Sequence, residues 1–232
     1  MLKSTAKWII QRVGNTQFNK KRIARRLAGV DRINAGCGDI IVRNWLNVGF
    51  FPFHQVPYGT LKKVNNAYLL HFDLTQGLPL HENSLRFIYA GHFIEHLSFE
   101  QGIVFLKRCC QAMREGGIIR LTCPDLELWV RKYYENDLDF FKEFYRIFPS
   151  LPDLKTKGQI LVRQFQGWGH RWLYDFGSLE DILRRSGFSH IGRKRAFDSA
   201  IPDIEKLEAS SEGRLLETLY AEAMKAPEKP AS

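Results

Sequence analysis

The chain has 232 residues, 44% hydrophobic and 25% charged, which suits one large α/β domain with a real core or at most two small ones. The formal net charge of +9 is lopsided: residues 1–32 carry +8, nine Lys/Arg against Asp31, and the remainder carries +1. That distribution argues against a uniformly basic nucleic-acid binder, and no apolar run approaches the roughly 18 residues of a bilayer span.

Residues 1–30 read as a basic arm of two short helices, roughly 2–13 and 18–28, broken at Gly14-Asn15 and closed by Gly29. Trp8-Ile9-Ile10 is a short apolar island between Lys7 and Arg12, so no signal peptide is expected. Three readings of the arm stay open. It is a solvated helix pair docked on the body, an interfacial helix drawing residues 1–28 to an anionic membrane surface, or a nucleic-acid clamp. The last is least favoured, because few aromatics interleave with the charges to stack bases. Cys37, Cys109, Cys110 and Cys123 show no C-x-x-C spacing. They read as reduced thiols of a cytoplasmic protein, peripheral to the inner membrane face if the arm binds lipid, and they imply no zinc site.

Short apolar runs at 32–38, 46–51, 68–72, 87–90 and 118–122 read as strands, and 32–38 runs into a glycine turn. Ile103, Leu106, Cys110 and Met113 have helical spacing, with Gly116-Gly117 as the expected stop. Strands alternating with a helix predict a doubly wound α/β fold with a mostly parallel sheet. Residues 126–176 hold thirteen of the thirty aromatics, a density that marks an inserted helical segment or lid after the fifth strand. Within it, 129–148 has helical spacing, ended by Pro149, Pro152 and Gly158. Ser178 is the expected cap of a later helix that Gly187 stops, and extended stretches near 189–197 and 216–224 complete a domain over 31–225. The tail, 226–232, is expected to be flexible.

Gly36-x-Gly38 after a strand allows a ligand close to the main chain, since no Cβ intervenes. The third glycine of the dinucleotide fingerprint is absent, with Ile41 in its place, which disfavours a dehydrogenase. His92-x-x-Glu95-His96 matches a zinc-hydrolase pattern, but that pattern needs a helix through both histidines, and no metal is expected.

Six ordered segments carry a more specific likeness. They are Ile33-Asn34-Ala35-Gly36-Cys37-Gly38-Asp39, Asn44-Trp45-Leu46-Asn47-Val48, and Asp73-Leu74-Thr75-Gln76-Gly77-Leu78-Pro79-Leu80 with Asn83-Ser84. Tyr89-Ala90-Gly91-His92-Phe93-Ile94-Glu95-His96-Leu97, Met113 through Leu121 with Pro124-Asp125-Leu126, and the stretch 178–188 complete the set. Together they resemble a class I, Rossmann-like, S-adenosylmethionine-dependent methyltransferase, particularly the bacterial predicted methyltransferases of surface-polysaccharide biosynthesis.

The resemblance implies a seven-stranded sheet and places Asn34, Gly36, Cys37, Gly38, Asp73, Leu74, Ala90 and Gly91 at the cofactor. Gly36 and Gly38 would face its methionine part and Asp73 with Leu74 its adenine, where an ionised carboxylate accepts from the exocyclic amine. His92 or His96, with Glu95 nearby, would take a proton from the hydroxyl being methylated. Asp125, His170, Arg171 and Tyr174 are the candidate contacts to a small-molecule or saccharide acceptor, where aromatic faces suit sugar rings and Arg suits phosphate.

One position departs from the pattern. Gly49 stands where the family usually has the ribose-binding Asp, a loss of about 1.5 to 3 kcal/mol of charge-assisted hydrogen bonding. A methyltransferase-like scaffold without turnover is therefore the alternative, and RNA methylation through the arm is a weaker one.

Overall fold

The computed structural model describes residues 17–52, 54–76, 78–148, 154–208 and 212–227. In chain order these form helix α1 (Gln17–Arg26), strands β1 (Arg32–Ala35), β2 (Leu46–Gly49), β3 (Leu61–Val64), β4 (Ala67–His71) and β5 (Leu85–Gly91), and helix α2 (Phe99–Ala112). Then follow β6 (Met113–Pro124), α3 (Leu126–Tyr134), α4 (Leu138–Ile147), α5 (Lys157–Gln166), α6 (Phe176–Arg185), β7 (Phe188–Lys194), the short helices α7 (Ile204–Leu207) and α8 (Glu212–Glu217), and β8 (Thr218–Lys225). The first half of the arm and the end of the tail lie outside the described residues.

The sheet order is β3-β4-β2-β1-β5-β6-β8-β7. Strands β4, β2, β1, β5 and β6 run parallel, while β8 runs antiparallel to both β6 and β7. This is a doubly wound arrangement whose winding reverses at β1, which has β2 on one side and β5 on the other. Ligands of such sheets bind outside the carboxyl ends of the strands at that reversal. The parallel strands are buried on both faces, as Ile33, Leu46, Val48, Leu70, Ile88 and Leu121 show, each fully inside the main core.

The sheet has eight strands, one more than expected. The extra strand, β3, pairs antiparallel with β4 across Asn65-Asn66, both in the left-handed region at φ 47° and 62°. Two consecutive asparagines suit such a two-residue hairpin turn. Gly116-Gly117 does not stop the helix: α2 ends at Ala112, and the glycines lie inside β6, which starts pairing at Met113. Ser178 is not the cap of α6 either. Asp175 caps it, and Ser178 is the reciprocal partner three residues on. The aromatic stretch 129–148 forms two helices rather than one, because Asn136 turns left-handed and Asp137 caps α4.

Helices α3 to α5 fold around their own centre, where the buried Trp129 ring meets Phe140, Phe141 and Phe144 nearly edge-on. A bridge pairing Asp125 with Tyr174 closes the neck of this insertion. On the other side, Ile23 and Leu27 of the arm's second half join the main core, leaving Lys21, Arg22, Arg25 and Arg26 on the solvent face.

Candidate functional site

A cavity of about 720 Å³ opens at the carboxyl ends of β1, β2, β4 and β5, within the size range of cofactor pockets. The sequence between β1 and β2 shapes its rim. Gly36 sits at φ 69°, and a Cβ there would lie 2.4 Å from the Phe93 ring. Only glycine fits both the backbone and that approach. Asn34 is buried and its amide donates to the Ile40 carbonyl at 2.8 Å, fixing the turn. Burial pushes the Cys37 thiol up to about 12, so it is an apolar wall rather than a nucleophile.

Across the cavity, one Asp73 carboxylate oxygen accepts from Thr75 N at 3.0 Å and Thr75 Oγ1 at 2.7 Å. That holds the carboxylate at the end of β4 with its second oxygen available. Gly49 faces the same space, and a Cβ there would lie 3.0 Å from Cys37 Sγ. An aspartate at this position would crowd the cysteine, so the glycine and the cysteine go together.

A second cavity of about 300 Å³ adjoins the first and is lined by His92, Glu95, His96, Pro124, Phe148, Gln164, Trp168, His170, Arg214 and Glu217. His92, His96 and Arg214 line both. His92 follows β5 at φ 47°, strained for a non-glycine residue. Its ring is held at both ends, with Nε2 2.8 Å from Thr218 Oγ1 and Nδ1 3.3 Å from Glu95 Oε1. The His96 ring makes no hydrogen bond to the described residues and lies edge-on to His170, with centroids 5.2 Å apart.

Glu95 is wholly buried, and neither carboxylate oxygen has a hydrogen-bond partner, although His92 is within ion-pair distance. Burial alone raises this carboxyl. The His92 and His96 rings outweigh burial and hold it below the usual range. Glu217 is the opposite case. Burial pushes it up to about 8 although Trp129 Nε1 donates to it at 3.1 Å, and the charge of Glu95 adds to the rise. The pocket thus holds one ionised and one protonated acid. Burial lowers His170, keeping its imidazole neutral.

Most of the expected cofactor contacts line the large cavity: Asn34, Gly36, Cys37, Gly38, Asp73, Leu74 and Gly91. Ala90 does not, since its side chain is buried in the core of β5. Of the expected acceptor contacts, His170 lines the smaller cavity. Asp125, Arg171 and Tyr174 do not, each for a structural reason. Asp125 caps α3 and pairs with Arg193. The Arg171 guanidinium donates to Gln101 Oε1 at 2.7 Å. Tyr174 is fully buried in the main core. Gln164, Arg214 and Glu217 carry no local sequence signal of a site. Each lies far in sequence from the glycine turn, and only the folding of the insertion and of β8 brings it there.

Fold and site define a doubly wound α/β protein with a two-chambered cleft at its strand ends. No family model matches the chain, and no curated protein matches it in sequence. Solved structures with a similar course of chain include S-adenosylmethionine-dependent methyltransferases. One from Archaeoglobus fulgidus has 14% identity and a TM-score of 0.47, over 89% of this chain and 94% of its own. One from Thermotoga maritima has 14% identity and a TM-score of 0.46, over 97% and 96%. A Haemonchus contortus phosphoethanolamine N-methyltransferase solved with S-adenosylmethionine has 12% identity and a TM-score of 0.44, over 91% of this chain and 53% of its own. Likeness at this level assigns neither ligand nor activity, which rest on the cleft's own residues.

Proposed function

We propose that the protein is an S-adenosylmethionine-dependent methyltransferase acting on a hydroxyl of a small, anionic, saccharide-type acceptor. The observation that carries this reading is the meeting of the two cavities at His92, His96 and Arg214. One chamber has the size and strand-end position of a nucleoside pocket, and the other is polar and joined to it where a group would pass across.

The large chamber fits the cofactor on its own features: a glycine turn that a Cβ would block, and a carboxylate at Asp73 with an oxygen left to accept from an amine. When bound, S-adenosylmethionine supplies a methyl group on a positively charged sulfur that leaves with the bonding electron pair. Gly36 and Gly91 let the ligand approach the main chain, and Asp73 orients its far end. In the second chamber Arg214 makes no hydrogen bond or ion pair with the described residues, and its guanidinium receives the acceptor's phosphate or carboxylate. His96 takes the proton of the acceptor hydroxyl as the oxygen bonds to the methyl carbon. His92, engaged at both ring nitrogens, positions Glu95 and the junction.

Transfer of labelled methyl from S-adenosylmethionine to a panel of phosphorylated and carboxylated saccharides tests this. Turnover on one of them that falls in His96→Ala, with cofactor binding retained, supports it; full turnover in both His92→Ala and His96→Ala refutes the assignment of the base. Gly49 favours the second reading, a methyltransferase-like scaffold without turnover. No saturable binding of S-adenosylhomocysteine, together with no transfer to any acceptor, would support it. The arm is read as a tether to anionic lipid, and co-sedimentation with anionic but not neutral vesicles, weakened on removing residues 1–16, which leaves Ile23 and Leu27 in the core, is the expected result.

A further inference from the structure

We propose that Glu95, His96 and His170 form a binding site for one divalent transition-metal ion of the zinc class in the acceptor pocket. One donor atom from each residue lies within 4.8 Å of the others. Tetrahedral zinc with bonds near 2.1 Å needs donors about 3.4 Å apart, so rotamer adjustments of roughly an ångström close the site.

Three independent features point to a cation here. Glu95 is wholly buried with both carboxylate oxygens lacking a hydrogen bond; among the described residues only the His92 ring comes within ion-pair distance, 3.3 Å from Oε1, so a further positive group would lower the cost of burying it. Gln164, 1% exposed and lining the same pocket, has neither its amide oxygen nor its amide nitrogen paired. A bound ion and its water give such an amide its missing partner. The third feature is the orientation of His170. Its Nδ1 lies 2.7 Å from the Gln164 carbonyl oxygen, which only accepts, so Nδ1 carries the proton and Nε2 keeps its lone pair. Metal-bound histidines are oriented in this way.

The ligands come from two chain segments that the main chain ties together. The backbone N–H groups of Arg171 and Trp172 both donate to the Glu95 carbonyl, at 2.7 and 3.1 Å. The pair His96 and Glu95 is thereby fixed against His170 before any ion arrives. The histidine of the H-x-x-E-H pattern that drops out is His92, whose ring is turned to Thr218. Two imidazoles and one carboxylate suit zinc, cobalt or iron(II) rather than magnesium or calcium, which take oxygen ligands. Three protein ligands leave a position for the acceptor hydroxyl, whose proton the ion makes acidic enough to pass to solvent water as the oxygen bonds to the methyl carbon. His96 is then a ligand, and the ion replaces it in activating the hydroxyl. That role rests on the methyl-transfer reading, whereas binding of the ion does not.

The test uses the full chain, stripped with a chelator, titrated with zinc by calorimetry and with cobalt(II) by visible absorption. One equivalent is expected to bind, with cobalt bands of histidine–carboxylate coordination. His170→Ala and His96→Ala should each weaken zinc by more than the roughly 10- to 100-fold that loss of an outer partner costs. Exposed His190→Ala should leave it unchanged. Glu95→Gln, which keeps the side chain's size, should lose the cobalt bands if the alanine variants misfold. No saturable binding, or equal affinity in wild type and all three ligand variants, overturns the proposal. S-adenosylhomocysteine binding measured in the same metal-free samples separates this failure from failure of the methyltransferase reading.

Discussion

The two chambers of the cleft are built by different means. The larger is made by strand ends and a glycine turn within a continuous stretch of the chain, and its shape is set by what is missing, the side chains at Gly36, Gly49 and Gly91. The smaller is made by polar side chains drawn from residues 92–96, 164–170 and 214–217, three segments that meet only after the insertion and β8 have folded. The first chamber is a backbone device with one carboxylate, Asp73, at its rim. The second is an electrostatic device in which one ionised acid, one protonated acid and three imidazoles depend on one another.

This contrast predicts where substitution acts. The largest effect belongs to the backbone device: Gly36→Val adds a branched side chain at positive φ, 2.4 Å from the Phe93 ring at its first atom. It should cost about 2 to 4 kcal/mol of stability and remove cofactor binding. Thermal melting with calorimetry checks both; an unperturbed melting temperature breaks the account of the turn. Next, His96→Ala should lower turnover roughly 10²- to 10⁴-fold while S-adenosylhomocysteine binding changes by only a few-fold. Equal losses in both would mean that the chambers are not separable. Asp73→Asn should show the reverse, cofactor binding weaker by roughly tenfold or more with the acceptor side intact.

A pH-dependent effect sharpens the electrostatic half. Glu217 is raised from 4.5 to about 8, so the fold keeps it protonated where the unfolded chain has released the proton. Its contribution to stability is therefore full below about pH 4.5 and is lost as pH rises through about 8. Glu217→Gln removes that dependence. With chelator present, its stability relative to wild type should rise by roughly 3 to 4 kcal/mol from pH 5 to pH 8. The groups facing it, Glu95, Arg214 and Trp129, are unchanged by the substitution. A constant difference across that range would show that Glu217 is ionised.

The same contrast explains what was legible in the sequence. Short apolar runs bounded by turn residues announced β1, β2, β4 and β5; the glycine turn pointed to Gly36 and Gly38, and the resemblance added Asp73. Periodicity failed where competing signals sat close together. Gly116-Gly117 looked like a helix stop but is carried inside β6, and Asn65-Asn66 joined a strand, β3, too charged to read as one. Arg171 sits in a polar-aromatic cluster and Asp125 in a segment of the family likeness, yet surface pairing and helix capping account for the two. Gln164, Arg214 and Glu217 carried no local signal at all, since their meaning is a pocket made from distant segments.

The central claim is that the glycine-turn chamber holds S-adenosylmethionine even with Gly49 where an aspartate is usual. Calorimetric titration of the purified full chain with S-adenosylhomocysteine tests it most directly. Saturable one-to-one binding that Gly36→Val and Asp73→Asn weaken is the predicted result, and no binding at millimolar ligand would contradict it.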